Sequence, residues 1–269
     1  MSVFITFEGG DGSGKSTQAD KLYEYLNSQG FDISMTHEPG GTKYGEMFRH
    51  LLLEVKAEVK SKDSDLDART QVLGFCSARA QLVVEQILPR LNKPNTITIS
   101  DRYADSTIAY QVYGGEILDL KDEVEKILIF ATHNVKPDLT IYLDISPEEG
   151  KKRIEGRVKK EEEPHAFGEA QQLSFLGNNH YDQKKLKFHQ AVRDGYYSLI
   201  EQEPDRWWVI DANRSIEVIH KEICERILDW IKQKDICPKS DKSKRHNKTS
   251  DTKNDQDSLL LDLYQTKVG

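Results

Sequence analysis

The stretch FEGGDGSGKSTQ, residues 7–18, decides the fold of this chain. It follows residues 3–7, a short run of apolar and β-branched side chains that is typical of a buried strand. The spacing G-x-x-x-x-G-K-S over residues 9–16 matches a phosphate loop, and a helical pattern begins near Gly14, as that loop requires. Its glycines let backbone N–H groups turn inward, and the helix N-terminus adds partial positive charge. The sequence therefore predicts a nucleoside triphosphate site.

Within this loop, Lys15 is the expected point charge for the β- and γ-phosphates, and Ser16 is the expected hydroxyl ligand of Mg²⁺. The predicted ATP-contacting residues are Gly9, Gly10, Asp11, Gly12, Ser13, Gly14, Lys15, Ser16 and Thr17. The loop alone leaves a GTPase switch, an ATPase motor and a kinase for a small acceptor open. Residues 92–95, NKPN, lack the aspartate of a guanine-reading motif and precede a strand, and a motor usually has a larger core.

The rest of the chain alternates short strands with helices. Strands are predicted at 32–36, 96–100, 139–144 and 207–211, and helices at 67–91, 123–133, from Ser146 onward, 182–202 and 215–233. This alternation predicts an α/β fold with a parallel sheet covered by helices on both faces.

Composition narrows the class of protein. With 269 residues and 37% hydrophobic side chains, we expect one large domain, or one domain plus a tail, and a net charge of −7 argues against a general nucleic-acid binder. Three scattered cysteines predict a reducing compartment without disulfides or a zinc site. No leader-like start and no run of 18 apolar residues is visible, so we expect a cytoplasmic protein with no membrane partner.

The small-acceptor hypothesis requires a second anion site near the loop, and three segments supply candidates. Residues 37–53, HEPGGTKYGEMFRHLLL, carry Arg49. Residues 73–86, LGFCSARAQLVVEQ, place Phe75 and Arg79 four positions apart on one helix face. Residues 99–111, ISDRYADSTIAYQ, end a buried strand with Asp101 and Arg102. Together they favour a kinase.

These segments, with PDLTIYLDISPEEGKKRIEGR at 137–157, resemble the thymidylate kinases, a family of P-loop nucleoside monophosphate kinases, over about residues 3–231. The resemblance implies a three-layer fold with a five-stranded parallel sheet ordered 2-3-1-4-5. It implies a domain over 1–232, and a homodimer through long helices such as 67–91. The implied reaction is MgATP + dTMP → MgADP + dTDP, a step toward dTTP, with Mg²⁺ as the cofactor.

The resemblance also implies roles in the acceptor site. Phe75 would stack on the thymine ring, and Arg79 would donate to the thymine carbonyl at the position where cytosine carries an amino group. Arg49 and Arg102 would grip the monophosphate as planar forks. Asp11 would accept from the ribose 3′-hydroxyl, Tyr110 would crowd the 2′ position, and the remaining neighbours would be Ser106, Thr107 and Gln111.

The implied catalytic groups are cations. They are Lys15, Arg102, Arg153 and Arg157, the last two in a lid at about 153–181 that is longer than the family pattern. Asp101 would join Ser16 in the magnesium shell, and no catalytic histidine is expected. A polar linker predicted to be disordered, 233–257, and a short apolar segment, 258–269, complete the chain. A kinase for another nucleoside monophosphate or a deoxynucleoside, and a nucleotide-binding protein without catalysis, remain alternatives.

Overall fold

The structure is a computed structural model that describes residues 1–54, 66–158 and 179–239. Within these ranges the side chains of residues 54, 157, 158 and 179–185 are not described. Most of the predicted lid, 159–178, and the segments 240–257 and 258–269 therefore lie outside the described residues.

The sheet has five parallel strands in the order β2-β3-β1-β4-β5, which confirms the predicted fold class and strand order. The strands are β1 (Val3–Gly9), β2 (Asp32–His37), β3 (Thr96–Asp101), β4 (Leu139–Asp144) and β5 (Trp207–Asp211). The helices are α1 (Lys15–Ser28), α2 (Lys43–Arg49), α3 (Ala68–Leu82), α4 (Ala104–Thr107), α5 (Lys121–Ala131), α6 (Pro147–Val158), α7 (Asn179–Gln202) and α8 (Ile216–Gln233).

Both faces of the sheet are buried because side chains alternate along β1. Ile5 and Phe7 belong to an apolar cluster that includes Leu22 of α1 and Ile223 of α8. Phe4, on the opposite face, packs with a different cluster that contains Leu82 at the end of α3. The sheet is thus the middle layer of three, and its carboxyl edge is left for the site.

The register brings the ends of the central strands together. Phe7 of β1 pairs with Asp101 of β3, and Gly9 pairs with Leu143 of β4. The phosphate loop after β1 and the Asp101–Arg102 segment after β3 therefore meet at one edge, as is usual for ligand sites of open parallel sheets.

The long helix predicted at 67–91 is present in three parts. Asp67 caps α3 by accepting a hydrogen bond from Arg69 N–H at 2.9 Å. The helix then widens into π-helical turns at Val83–Ile87 and ends with the turn Leu88–Leu91. Two similar wide segments, His50–Glu54 and Ile108–Gly114, extend α2 and α4.

The compact unit continues to Lys239, beyond the predicted boundary at 232. Ile236 is buried in the core, and Cys237 exchanges two backbone hydrogen bonds of 2.7 Å with the side chain of Asn95. Lys239 N–H donates to the Gly30 carbonyl at 2.7 Å. The first residues of the predicted linker are therefore packed, because a single isoleucine and an asparagine anchor them. No helix in the described part of the chain is long and apolar enough to cross a membrane.

Candidate active site

The phosphate loop has the predicted strand–loop–helix geometry. Gly14 adopts a left-handed φ of 88° immediately before α1, a conformation that glycine permits at little cost. Ser13 N–H donates to the Gly10 carbonyl at 3.3 Å, and Lys15 Nζ donates to the same oxygen at 3.3 Å. Burial, helped by the positive charge of Arg102, lowers the pKa of Lys15 to about 8. The lysine is held inside the loop, where the nearby carboxylates of Asp101, Asp11 and Glu8 only partly offset the effects of burial and Arg102.

The loop is braced by the first turn of α6. A Cβ atom on Gly12 would collide with the Gly150 carbonyl, and one on Gly150 would collide with the Asp11 carbonyl. The two backbones therefore touch, and this close approach requires glycine at both positions. The helix that leads into the predicted lid is thereby seated directly on the phosphate loop.

Ser16 and Asp101, the two residues predicted to bind Mg²⁺, lie next to each other. Ser16 Oγ donates to Asp101 Oδ2 at 2.5 Å, while Asp101 Oδ1 is buried without a hydrogen-bond partner. A buried carboxylate oxygen without a partner is unfavourable unless a ligand satisfies it. One carboxylate and one hydroxyl suit Mg²⁺, which prefers oxygen ligands and usually keeps several waters and phosphate oxygens. Among the described residues, no cluster of three or more His, Cys, Asp or Glu side chains offers an all-protein metal site.

A narrow cavity beside the loop brings together most of the predicted acceptor residues. Its lining residues are Glu38, Pro39, Phe75, Arg79, Arg102, Ser106, Thr107, Tyr110 and Gln111. They come from the end of β2, from α3 and from the segment after β3. An aromatic ring, two guanidiniums and several neutral hydrogen-bonding groups therefore converge on one space.

Arg102 links this cavity to the phosphate loop. Its Nη2 donates to Asp11 Oδ1 at 2.7 Å and to the Tyr110 hydroxyl at 2.9 Å, and its Nη1 donates to the Gly9 carbonyl at 3.3 Å. The guanidinium also lies over the Tyr110 ring, 4.6 Å from its centroid. Arg102, a cavity residue, thus contacts both a backbone carbonyl and the aspartate of the phosphate loop.

Asp11 is an ionised group in a buried setting. Burial raises its pKa, but the positive charges of Arg102 and Lys15 outweigh that effect, with smaller help from His189 and the Tyr110 hydroxyl. The net pKa of Asp11 is therefore below its ordinary value. The Tyr110 hydroxyl donates to Asp11 Oδ1 at 2.9 Å, so both predicted sugar-reading residues lie side by side.

Arg79 has a partner that the sequence analysis did not anticipate. Its Nε and Nη2 both donate to Glu38 Oε2, at 2.8 and 2.5 Å, and its Nη1 donates to Thr107 Oγ1 at 3.0 Å. Burial alone would lower the pKa of Arg79, and the Glu38 carboxylate outweighs it, so the pKa is raised above its ordinary value. Glu38 Oε1 is buried without a partner. The structure places Arg79 in the predicted cavity but already neutralised.

Three other predicted site residues, Arg49, Arg153 and Thr17, do not line the cavity. Arg49 donates from Nη1 to the carbonyl of Pro39, a cavity residue, at 2.9 Å. Arg153 donates to the Ala212 carbonyl at 2.8 Å and lies 3.5 Å from Glu149, so it faces the end of β5. Thr17 is exposed on α1. The side chain of Arg157 lies outside the described residues.

Sequence reasoning missed three residues that support this site. Glu38 and Glu8 were quoted within motifs but not assigned, although a glutamate inside the apolar strand before the loop was a usable signal. Tyr196 of α7 donates to Glu8 Oε2 at 2.7 Å. No local pattern could have identified Tyr196, because it reaches the site from 188 positions away along the chain.

A phosphate loop at the carboxyl edge of a 2-3-1-4-5 parallel sheet, next to a cavity lined by arginines and an aromatic ring, defines a P-loop nucleotide kinase. The family model described as thymidylate kinase matches residues 7–223. The chain belongs to the thymidylate kinase family, and the sequence-based prediction of an enzyme that phosphorylates dTMP to dTDP, with ATP as the donor, is confirmed.

Individual relatives agree over most of the chain. A thymidylate kinase of Roseiflexus castenholzii is 42% identical over 232 residues, covering 86% of this chain and 95% of that protein. One from Bacillus pumilus is 36% identical over 234 residues, covering 87% and 99%. The crystal structure of thymidylate kinase from Ehrlichia chaffeensis aligns with a TM-score of 0.58 and 31% identity, covering 84% of this chain and 98% of that chain.

Proposed function

We propose that the described residues divide the reaction between a donor site and an acceptor site that meet at Arg102. The donor site is the loop of residues 9–17, whose N–H groups and Lys15 would hold the ATP phosphates. The acceptor site is the cavity lined by Phe75, Arg79 and Arg102. The observation that carries this assignment is the contact of Arg102 with both Asp11 and the Gly9 carbonyl.

Mg²⁺ is proposed as the cofactor. Ser16 Oγ and the buried, partnerless Asp101 Oδ1 are the residues that would hold it or its water shell. When bound, the ion neutralises charge on the β- and γ-phosphates. Ser16 and Asp101 would keep two oxygen ligands in place where the end of β3 meets the start of α1.

The acceptor phosphate is proposed to lie between Arg102 and Arg49. Both guanidiniums border the cavity region, Arg102 directly and Arg49 through its bond to the Pro39 carbonyl. Planar guanidiniums suit a phosphate dianion because they donate two parallel hydrogen bonds. A phosphate there would compete with Asp11 for Arg102, so binding would release the Asp11 carboxylate to accept from the 3′-hydroxyl.

The base is proposed to stack on Phe75 beside Arg79 and Thr107. The Nε and Nη2 groups of Arg79 both donate to Glu38. The Nη1 group, which donates to Thr107, is therefore the one proposed to donate to a thymine carbonyl. Donor facing donor would disfavour cytosine at that edge. Ser106 and Gln111 complete the wall, and Tyr110, packed against Asp11, is proposed to disfavour a 2′-hydroxyl.

Catalysis in this scheme needs alignment and neutralisation of charge, since the acceptor is already an anion. Lys15 and Arg102 are the cations in place, and Arg153 or Arg157 is proposed to join them from the lid at about 153–181. Arg153 would have to leave the Ala212 carbonyl, to which it donates at 2.8 Å.

We further propose a homodimer through α3 and α5 and a cytoplasmic location. A groove of about 660 Å³ between these helices is lined partly by Val84, Ile129 and Phe130. Phe130 is 84% exposed and Ile129 is 52% exposed, which is unusual for adjacent large apolar side chains on a monomer. Light scattering of the parent and of Phe130→Asp tests this: a dimer that the substitution separates supports the interface, and a monomeric parent refutes it.

The reaction is tested by ADP release with dTMP, dUMP, dCMP, dGMP and thymidine as acceptors. We expect the highest kcat/KM with dTMP. Preference for thymidine would indicate a deoxynucleoside kinase, and preference for another monophosphate would change the base assignment. No acceptor-dependent ADP release with any of these compounds would indicate a nucleotide-binding protein without catalysis.

A further inference from the structure

Glu8, two residues before Gly10 of the phosphate loop, is completely buried beneath the acceptor cavity. Its Oε1 accepts from Tyr103 N–H at 2.8 Å, and its Oε2 accepts from the hydroxyls of Ser106 at 2.6 Å and Tyr196 at 2.7 Å. We propose that Glu8 is a positioning residue that fixes Arg102 for the acceptor phosphate through these two hydroxyls and the Tyr103 backbone. The inference rests on the acceptor role proposed above for Arg102.

The two hydroxyls act as a relay because each has only one hydrogen to donate. Since both hydrogens are directed at Glu8, lone pairs of Ser106 and Tyr196 remain for the guanidinium. Arg102 Nη1 lies 3.2 Å from Ser106 Oγ and 3.4 Å from the Tyr196 hydroxyl. An ionised Glu8 therefore turns both hydroxyl oxygens into acceptors for Arg102. Asp11 anchors the other nitrogen, Nη2, directly.

Glu8 also holds the backbone beside Arg102. Arg102 has a φ of 70°, a region that residues with a Cβ atom seldom occupy. Its N–H donates to the Phe7 carbonyl at 2.9 Å, and its carbonyl accepts from Ser100 Oγ at 2.7 Å. The next N–H along the chain, that of Tyr103, is the one that Glu8 accepts. The carboxylate is thus one of three groups that maintain this conformation.

The charge state of Glu8 depends on its surroundings. Burial and the nearby carboxylate of Asp105 raise the pKa of Glu8 to about 7, while Arg102 and the hydroxyls of Ser106 and Tyr196 act in the opposite direction. Other charged groups face the same region. Lys15 attracts the Glu8 carboxylate, and Asp11 accepts a hydrogen bond from Arg102. Arg206 donates to both carboxylate oxygens of Asp105, from Nη1 at 2.7 Å and from Nη2 at 2.9 Å.

The sign of the pH effect follows from the relay. Above about 7, Glu8 is ionised and both hydroxyls accept from Arg102. As the pH falls through that value, Oε2 becomes a donor, so one hydroxyl must accept from it and turn its own hydrogen toward Arg102 or toward the other hydroxyl, 3.0 Å away. Either change takes up a hydroxyl position that faced Arg102, and the neutral Glu8 no longer attracts the guanidinium. Acceptor binding should therefore weaken on the acid side while ATP binding does not.

The test compares Glu8→Gln with Thr6→Val in the full chain. Thr6 is a matched control, since it lies two residues earlier on the same strand face and bonds Thr140 Oγ1 at 2.9 Å, away from Arg102. We expect Glu8→Gln to raise the KM for dTMP at least about tenfold, the usual effect of losing a hydrogen bond to a charged group, with the KM for MgATP unchanged. Thr6→Val should change neither constant.

The pH profile of kcat/KM for dTMP adds a readout that loss of stability would not move. The acid limb of the parent should lie near 7, and that of Glu8→Gln should move to about 6, where a phosphate monoester itself ionises. Asp105→Asn should also shift the parent limb downward, because it removes a charge that raises the pKa of Glu8. An unchanged limb in Glu8→Gln would overturn the proposal.

Two further variants separate the possible failures. Tyr196→Phe removes one relay hydroxyl, and it should raise the KM for dTMP in the parent but have no further effect in Glu8→Gln. If the effects of Tyr196→Phe and Glu8→Gln on the KM for dTMP multiply fully in the double variant, the relay is contradicted. If Arg102→Ala weakens dTMP binding and Glu8→Gln does not, only the role of Glu8 is wrong. If Arg102→Ala itself leaves dTMP binding intact, the proposed acceptor site is wrong.

Discussion

Arg102 and Asp11 form a buried ion pair across the edge of the sheet, with Nη2 2.7 Å from Oδ1 and both side chains less than a tenth exposed. One partner belongs to the acceptor cavity and the other to the phosphate loop. The cavity and the phosphate loop therefore share one ion pair, and under the acceptor role proposed for Arg102 a bound phosphate would compete with Asp11 for the guanidinium. This coupling is a property of the sheet topology, which brings residues 91 positions apart to the same edge.

This pair predicts an unusual response of Asp11→Asn to ligand. Losing the charge leaves a buried guanidinium without its direct anion and should cost about 2–3 kcal/mol of unfolding free energy. Because the dTMP phosphate would supply the missing charge, dTMP should raise the melting temperature more in Asp11→Asn than in the parent. Asp32→Asn, in the more exposed pair with Arg90, is the control and should show the parent's response. A smaller dTMP-induced shift in Asp11→Asn would contradict the proposal.

Asp101→Asn is expected to change the Mg²⁺ requirement of the reaction more than the stability of the fold. The substitution keeps the side-chain size but removes the charge from the oxygens beside Ser16. We expect the Mg²⁺ concentration for half-maximal rate to rise about tenfold, with the rate partly restored at saturating Mg²⁺. A titration of initial rate against Mg²⁺ measures this, and the same half-maximal concentration in variant and parent would remove Asp101 from the metal site.

Arg79→Ala should lose both base selectivity and stability. Glu38 is buried, so removing Arg79 leaves an unpaired carboxylate and should cost about 3–5 kcal/mol. We expect the ratio of kcat/KM for dTMP over dCMP to fall by about tenfold to a hundredfold. The double variant Glu38→Gln/Arg79→Met separates the effects: thermal stability should recover and selectivity should not. Restored selectivity in the double variant would show that Arg79 does not read the base.

Two truncations test the boundary of the folded unit. A chain ending at Lys239 should keep the parent's melting temperature and turnover. One ending at Gln233 loses the buried Ile236 and the paired bonds between Asn95 and Cys237, and should be less stable by about 2–3 kcal/mol. Differential scanning calorimetry and the ADP-release assay measure both. If the chain that ends at Lys239 loses activity, the terminal segment, residues 240–269, contributes to function.

The fold class could be predicted from local patterns because each strand is short and contains β-branched or aromatic side chains, and because a helix comes after every strand before the next strand begins. Residues 139–144 and 207–211 were predicted with the bounds that the structure has. The strand order was not contained in those patterns and came from the family resemblance. The packing of Ile236 beyond residue 232 could not be predicted, because one isoleucine in a polar stretch gives no periodic signal.

Of the site, the sequence could indicate the residue types but not their pairing. Glu38 neutralises Arg79 across 41 positions, and Tyr196 reaches Glu8 across 188, contacts that only the packed fold creates. Arg153 carried the right spacing for a lid cation, yet its hydrogen bond to the Ala212 carbonyl depends on how α6 sits beside β5. Local spacing predicts which face a side chain occupies, and tertiary packing decides what it contacts.

The central claim is that the two anion sites face each other through Arg102. A crystal structure with dTMP and a non-hydrolysable ATP analogue tests it most directly. The account predicts the dTMP phosphate on the guanidiniums of Arg102 and Arg49, its base on Phe75, and the γ-phosphate of the analogue on Lys15. A dTMP molecule bound away from this cavity, or with its phosphate turned from the lysine, would contradict it.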